Sequence, residues 1–242
     1  MAAISNEADT HDAYGGTAPG EYLTGRFNQY RHELFVPVSK LGIPSRDAGI
    51  LLRKEAALAL RDLYAAFRTE HPKAPFWVQS GTRNFDDQKY IWDGKWSGKI
   101  PVFGVRLDRA VRDPLKRARE ILKYSSMPGT SRHHWGTDFD VNVLTNEYYE
   151  TGEGKVLYRW LAANAARYGF CQPYTAGRNR GYTEERWHWS YVPLSKKFLA
   201  GWRAWYKSNS GFFTAPKLFG GSAEAGGLAP EYVDSINPAC AD

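Results

Sequence analysis

Long apolar runs are absent from the 242-residue sequence, and none approaches the roughly 18 consecutive apolar residues that a membrane-spanning helix needs. We therefore expect no transmembrane segment in this chain. The stretch from Met1 to Asp9 also lacks the basic and apolar regions of a secretory signal. It belongs either to a cytoplasmic protein or to a mature form from which a signal has been trimmed.

Cysteine is scarce, since the sequence holds only Cys171 and Cys240. Two cysteines are too few for a four-thiolate metal site, and neither lies in a Cys-x-x-Cys redox motif. Two interpretations stay open. The cysteines are unrelated buried thiols, or they form a disulfide that ties the C-terminal tail to the domain, which would imply an oxidising compartment.

Positive charge is in modest excess, with a formal net charge of +6. Such a charge favours acidic partners such as nucleic acid, an anionic cell-wall polymer or a lipid surface. The basic residues are spread along the chain, however, and the densest run, residues 109–119, is typical of a solvated helix face. Charge alone therefore gives no reason to expect a nucleic-acid partner.

The 43% hydrophobic content and 15% aromatic content are enough to fill a core. Helical spacing of apolar residues, together with capping residues, predicts helices over 45–70, 84–92, 114–124, 155–168 and 195–206. Short alternating or β-branched runs predict strands at 76–80, 138–143 and 187–191. The loose alternation of these elements predicts an α+β fold, a single compact domain with a small, mostly antiparallel sheet flanked by helices.

The segment Ser131–Asp140 carries the highest density of metal-binding side chains in the sequence. It contains His133, His134, Asp138 and Asp140, and beyond Gly136 its alternation places both aspartates on the polar face of a strand. The segment 184–191 holds another histidine beside carboxylates and aromatic residues. We expect the two segments to meet around one metal ion.

Catalytic zinc takes three protein ligands from His, Asp and Glu, and His133, Asp140 and His188 supply that set. A bend at Gly136 lets the first two reach one point, while His188 arrives from a neighbouring strand. His134 is an alternative ligand that the spacing does not rule out. The competing interpretation is that these histidines are ordinary surface or core residues.

Two carboxylates compete for the role of general base. Glu185 precedes His188 by three residues, so it can serve only if the strand begins after it or is kinked there. Glu184 is the rival, and we favour Glu185. Arg83 lies at a predicted strand-to-helix turn, where it faces the open end of a sheet.

These residues resemble the paired signatures of the VanY-like zinc D-alanyl-D-alanine carboxypeptidases, a family that also includes L,D-carboxypeptidases and cell-wall endopeptidases. The two signature blocks read Ser131-x-His133-x-x-Gly136-x-x-x-Asp140 and Glu185-x-Trp187-His188-x-x-Tyr191. A third block, Ser80-Gly81-Thr82-Arg83 with Gln88, is similar to the family's Ser-Gly-Tyr-Arg-Ser followed by Gln. The three blocks occur in the family's order.

The resemblance implies the compact α+β fold shared with Hedgehog-like peptidases. It implies that His133, Asp140 and His188 bind Zn²⁺ and that Glu185 is the catalytic base. It also implies that Arg83 and Gln88 hold carboxylate or carbonyl oxygens of the substrate.

Ser131 and Asp138 complete the candidate substrate-binding set. Ser131 is a local hydrogen-bonding support, and Asp138 departs from the small residue that the family often has. Asp138 would touch either the substrate's amine or a histidine behind the metal. The long basic segment 94–124 either forms a wall that reads the peptide stem or is inert, and we favour the wall.

From this resemblance we expect a zinc carboxypeptidase that removes the C-terminal D-alanine from peptidoglycan stem peptides, with D,D favoured over L,D cleavage. The alternatives are an endopeptidase of the same family and a non-catalytic cell-wall binding module. Such a substrate places the protein in the periplasm or cell wall, so the missing signal is most simply explained by trimming. We expect a monomer, with a mobile N-terminal arm over 1–20, a catalytic domain over 21–210 and an irregular tail over 211–242 packed on that domain.

Overall fold

The computed structural model of this chain describes residues 13–241. Most of the predicted mobile arm over residues 1–20 therefore lies outside the described residues. In the described part of that segment, Tyr14 is buried at 8% exposure and a first short helix begins at Pro19.

The described chain contains α-helices of very different lengths. Their bounds are α1 (Pro19–Leu23), α2 (Lys54–Glu70), α3 (Phe85–Trp96), α4 (Leu107–Ala110), α5 (Pro114–Ile121), α6 (Gly152–Asn164), α7 (Val192–Asn209), α8 (Ser222–Ala225) and α9 (Ala229–Asp234). Single turns of 3₁₀ helix lie between several of them, and the turn Arg132–Trp135 belongs to the site described below. No helix among the described residues combines the length and apolarity needed to cross a membrane.

Two antiparallel sheets complete the α+β fold. Strands β1 (Phe35–Pro37) and β2 (Leu51–Arg53) form a hairpin-like pair. Strands β3 (Val78–Ser80), β4 (Asp138–Val141), β5 (Phe170–Cys171) and β6 (His188–Tyr191) form the larger sheet in the order β3-β4-β6-β5, in which every pair is antiparallel. The predicted fold class is confirmed.

The larger sheet uses its two faces differently. One face contributes Phe139, Val141 and Trp189 to a core that it shares with apolar residues of α2 and α6. The opposite face carries Asp140 and His188 on adjacent strands. Because side chains alternate along a strand, packing of the apolar face fixes the direction of the polar side chains.

Capping residues set the start of two helices as the sequence predicts. The Asn84 side chain accepts a hydrogen bond from the Asp87 backbone N–H, and the Asp87 carboxylate accepts one from the Asn84 N–H, which forms a capping box. The Asp113 carboxylate accepts from the Lys116 N–H at the start of α5. The first of these caps fixes the helix that directly follows Arg83.

Some element boundaries differ from those that periodicity predicts. The predicted helix over 45–70 begins only at Lys54, because residues 51–53 pair with β1 as a strand. The predicted helix over 195–206 begins earlier, at Val192, with Pro193 in its first turn, where the missing N–H costs nothing. Local apolar spacing carries no information about such long-range strand pairing.

The C-terminal tail packs on the domain through short helices rather than as irregular chain. Ala229, Val233 and Ile236 join the larger of two hydrophobic clusters. Cys171 and Cys240 form a disulfide across a sequence separation of 69 residues. Of the two interpretations that the sequence left open, the disulfide is the one that the structure contains.

Candidate active site

Strand register brings the two segments singled out in the sequence together. Asp140 of β4 lies opposite His188 of β6, and Asp138 lies opposite Ser190. Residues directly opposite on antiparallel strands project from the same face. The aspartate-rich strand and the histidine-bearing strand therefore present their polar side chains side by side.

His133 reaches the same point from the 3₁₀ turn that precedes β4. The turn ends at Gly136, whose φ of +73° is left-handed. A Cβ atom at Gly136 would lie 2.4 Å from the Phe35 ring and 3.0 Å from Cγ of Arg53. Glycine is therefore required here both for its conformation and for its lack of a side chain.

Nitrogen and oxygen atoms of His133, Asp140 and His188 lie within 4.8 Å of one another, and all three side chains are buried. Nε2 of His133 is 3.4 Å from Oδ2 of Asp140, and Nδ1 of His188 is 3.0 Å from Oδ1 of Asp140. Nδ1 of His133 donates to the Gly81 carbonyl at 2.8 Å, which leaves Nε2 free to bind a metal. Two imidazole nitrogens and one carboxylate oxygen form the donor set of a catalytic zinc site, so the residues fit that ion.

His134, the alternative ligand, has both ring nitrogens engaged elsewhere. Nδ1 donates to the Arg83 carbonyl at 2.8 Å, and Nε2 accepts from the Gly129 backbone N–H at 3.0 Å. Burial lowers the pKa of His134 to about 3, so the ring is neutral. A neutral ring that donates through one nitrogen and accepts through the other has no free lone pair for a metal.

Glu185 lies next to the His133–Asp140–His188 cluster because β6 begins only at His188. Residues 185–188 form a turn in which the His188 N–H donates to the Glu185 carbonyl at 3.3 Å, and this turn meets the condition that the sequence set for Glu185. Oε2 of Glu185 lies 3.6 Å from Nδ1 of His188. Glu184 points away and pairs with Nε of Arg186 at 3.2 Å.

Burial changes the proton affinity of the two groups that face each other in this turn. Desolvation, with a contribution from the charge of Asp140, raises the pKa of Glu185 to about 8. Burial alone would lower the pKa of His188, but its hydrogen bonds to Asp138 and Asp140 raise it to about 9. Burial likewise opposes ionisation of Asp140, yet His133 and His188 hold its pKa well below the usual range.

A cavity of about 390 Å³ opens onto this cluster. His133, Asp140, Glu185 and His188 lie at one end, and Arg83 and Ser131 also line it. The guanidinium of Arg83 makes no hydrogen bond or ion pair to any residue in the described range 13–241, and its Nε is buried without a partner. An unpaired guanidinium in a cavity is a binding site for an anion.

Residues 49–194 match the family described as VanY, D-alanyl-D-alanine carboxypeptidase. The chain belongs to this family. The matched range contains every predicted site residue, from Arg83 to His188.

Two curated relatives of this VanY-family chain are carboxypeptidases by name. It is 29% identical over 168 residues to a putative carboxypeptidase, YodJ, of Bacillus subtilis, covering 66% of this chain and 53% of the relative. It is 31% identical over 139 residues to a D-alanyl-D-alanine carboxypeptidase of Enterococcus faecalis, covering 56% and 46%. The chain thus spans about half the length of the curated relatives it matches.

A solved structure shares the fold of the VanY-family chain. It is the LdcB LD-carboxypeptidase, with a TM-score of 0.50 and 24% identity over 71% of this chain and 73% of the other. At that identity the likeness concerns the fold alone.

Two predicted substrate-binding residues lie outside the cavity. Asp138 is fully buried, and its carboxylate contacts Thr137, Ser190, His188 and Arg132 rather than open space. Gln88, at 1% exposure, donates to the Ser126 carbonyl at 2.7 Å and holds the loop that leads to Ser131. Packing turns both side chains inward. Of the two alternatives for Asp138, the structure contains the contact with a histidine, and the contact of Gln88 with substrate stays a prediction.

Sequence reasoning missed three groups beside the site. Lys95 of α3, Tyr124 and Tyr174 line the cavity. The ring centroid of Tyr124 lies 6.1 Å from that of Trp187, and the ring centroid of Tyr174 lies 4.7 Å from that of His188. None of these residues lies in a signature block. The basic character of segment 94–124 was the only sequence signal for Lys95 and Tyr124, and Tyr174 lies outside that segment.

Proposed function

We propose that this chain is a zinc-dependent carboxypeptidase that removes the C-terminal D-alanine from peptidoglycan stem peptides, with D,D favoured over L,D cleavage. The observation that carries the proposal is the convergence of the His133–Asp140–His188 cluster and Glu185 at one end of a cavity that also holds the unpaired Arg83. Family membership and the names of the two curated relatives support the same activity.

Zinc would be held by Nε2 of His133, a carboxylate oxygen of Asp140 and Nδ1 of His188. The ring orientations support this assignment, since the other nitrogen of His133 donates to Gly81 and that of His188 faces Asp138. Such hydrogen bonds fix the tautomer and the plane of a ligating imidazole. When bound, zinc supplies a Lewis acid that polarises the scissile carbonyl.

Glu185 acts as the general base. Its carboxylate takes a proton from the attacking water and returns it to the nitrogen of the leaving D-alanine. Burial raises the pKa of its carboxyl group, which strengthens the carboxylate as an acceptor of the proton that water gives up. The turn at residues 185–188 aims the carboxylate at the metal end of the cavity.

Arg83 binds the free carboxylate of the C-terminal residue. Its planar guanidinium offers two parallel N–H donors, which match the two oxygens of a carboxylate. Its backbone is fixed on both sides, because the Arg83 N–H donates to the His133 carbonyl and the Arg83 carbonyl accepts from His134. This anchor favours a carboxypeptidase over an endopeptidase, which has no free carboxylate to hold.

The substrate implies a location outside the cytoplasmic membrane, in the periplasm or cell wall. The Cys171–Cys240 disulfide supports this part of the proposal, because such bonds persist in oxidising compartments and are rare in the cytosol.

The test compares wild type, Glu185→Gln and the matched control Glu184→Gln on defined pentapeptide and tetrapeptide stems. Wild type and Glu184→Gln should release single D-alanine residues, chiefly from the pentapeptide, while Glu185→Gln binds zinc but releases none. Mass spectrometry of the products identifies the cut. Larger fragments would indicate an endopeptidase, and full activity of Glu185→Gln would remove Glu185 from its role.

A further inference from the structure

Three arginine or lysine side chains line the cavity, and only Arg132 is paired with a carboxylate, that of Asp138. Arg83 and Lys95 are the other two, and neither forms an ion pair with a carboxylate of the described residues 13–241. Lys95 has a single polar contact, in which Nζ donates to the hydroxyl of Ser125. Burial and the charge of Arg83 lower the pKa of Lys95, while Glu185 opposes that change.

None of the carboxylates that line the cavity is paired with Lys95. Asp140 contacts both histidines of the metal-binding cluster, and Glu185 lies beside His188. Glu147 stands at the exposed rim. An anion from outside the chain is therefore the natural partner of Lys95.

Lys95 lies on a wall of the cavity that is built from residues outside the three signature blocks. It occupies the last turn of α3 and lines the cavity together with Phe103. Phe103 has a left-handed φ of +48° in a turn where the Val102 and Val105 backbones bridge. Phe103 packs edge-on against Tyr124 with ring centroids 5.2 Å apart. This wall belongs to segment 94–124 and faces the peptide that Arg83 anchors.

Substrate chemistry decides which part of the peptide reaches Lys95. The guanidinium of Arg83 donates hydrogen bonds to both oxygens of the terminal carboxylate. The leaving D-alanine carries only a methyl side chain, so it offers no second carboxylate. A second carboxylate therefore has to come from the acyl side of the scissile bond. We propose that Lys95 and Ser125 form a subsite for a second substrate carboxylate on the acyl side, so that the enzyme selects acidic stem peptides.

This inference rests on the proposed function, and two stem carboxylates have the required chemistry. One is the side-chain carboxylate of a diaminopimelate residue. Lysine has the same side chain without that carboxylate. The other is the α-carboxylate of a γ-linked D-glutamate, which amidation removes. Four stem peptides, with diaminopimelate or lysine and with glutamate or its α-amide, distinguish the two sources.

The experiment measures kcat and KM for these four peptides with zinc-loaded wild type, Lys95→Met, Lys95→Arg and Lys89→Met. Removing the recognised carboxylate should reduce kcat/KM of wild type about tenfold, mainly through KM, since a charge-assisted hydrogen bond is lost. Lys95→Met should erase that preference, and Lys95→Arg should retain it. Lys89, on the same helix but paired with Asp93, provides the control that leaves the preference intact.

Two results would overturn the subsite. In the first, wild type cleaves all four peptides with the same kcat/KM. In the second, Lys95→Met loses the same factor in kcat/KM on all four peptides, which is the result expected if Lys95 binds the terminal carboxylate together with Arg83. Binding of the four peptides to zinc-loaded Glu185→Gln by calorimetry gives a second readout that needs no turnover. A protein that binds acidic peptides selectively but cleaves none would refute the proposed function and keep the subsite, whereas unselective binding would refute the subsite.

Discussion

Nε2 of His188 lies 3.0 Å from Oδ1 of Asp138, a carboxylate that also accepts from Nε of Arg132 at 2.9 Å. All three side chains are buried, so His188 is held from behind by an ion pair rather than by a backbone carbonyl. The arrangement turns Nδ1 of His188 towards Asp140 and Glu185. Asp138, which the sequence marked as a departure from its family, thus positions a proposed zinc ligand.

Replacing Asp138 by alanine should weaken zinc binding by about 10- to 100-fold, the usual effect of removing a hydrogen-bond partner behind a metal ligand. It should also destabilise the protein by about 3–5 kcal/mol, because Arg132 becomes an unpaired buried charge. Competition with a chromophoric chelator gives the zinc affinity, and urea unfolding gives the stability. Asp138→Asn is the matched variant, and it should lose less stability.

An Asp138→Ala variant that unfolds in less urea but binds zinc as tightly as wild type would show that Asp138 supports the fold and not the orientation of His188.

Replacing Arg83 by alanine should reduce kcat/KM about 100-fold on stem peptides with a free C-terminus, because a buried charge-assisted contact worth about 3 kcal/mol is lost. The same peptides with an amidated C-terminus should be affected far less. The Arg83 backbone contacts to His133 and His134 survive the change, so the fold around the cluster should persist. Equal losses on both peptide sets would contradict the role of Arg83 as a carboxylate anchor.

Stability should fall in mild acid through His134. Its folded pKa is about 3, whereas an unfolded histidine titrates near about 6.5, so between these values the unfolded chain binds more protons. The stabilisation is fully present above about pH 6.5 and is lost as the pH falls towards 3. In metal-free protein, wild type should lose about 2 kcal/mol more than His134→Gln between pH 7 and pH 5.

Urea unfolding of both proteins at the two pH values measures this difference directly, and contributions from other titrating groups cancel in the comparison. Parallel losses in the two proteins would mean that burial does not hold the His134 ring neutral.

Removing the Cys171–Cys240 disulfide should destabilise the chain by about 4 kcal/mol, the loop-closure value for a sequence separation of 69 residues. Cys171→Ser, Cys240→Ser and the double variant should show the same loss, because each removes the same bond. Thermal unfolding with and without a reductant checks this expectation. Wild type that unfolds at the same temperature under both conditions would indicate that the bond adds no stability.

The sequence predicted those parts of the site that depend on local chemistry. The start of α3 at its N-cap Asn84, the bend at Gly136 and the facing of Asp140 follow from residue type and strand alternation. The partners of Asp138 and Gln88 could not be predicted in this way, because a side chain turns inward only when residues distant in the chain offer it contacts. The place of Lys95 in the cavity could not be predicted for the same reason, since no residue near it in the sequence shows that α3 ends beside the cavity.

The central claim is that His133, Asp140 and His188 hold one zinc ion that hydrolysis requires. The most direct measurement is the release of D-alanine from a defined pentapeptide stem by purified protein, by protein stripped with a chelator, and by stripped protein after one equivalent of zinc is restored. We expect about one zinc per chain, no release of D-alanine after stripping and recovery of release after zinc is added. Undiminished release by protein shown to contain no metal would contradict this claim.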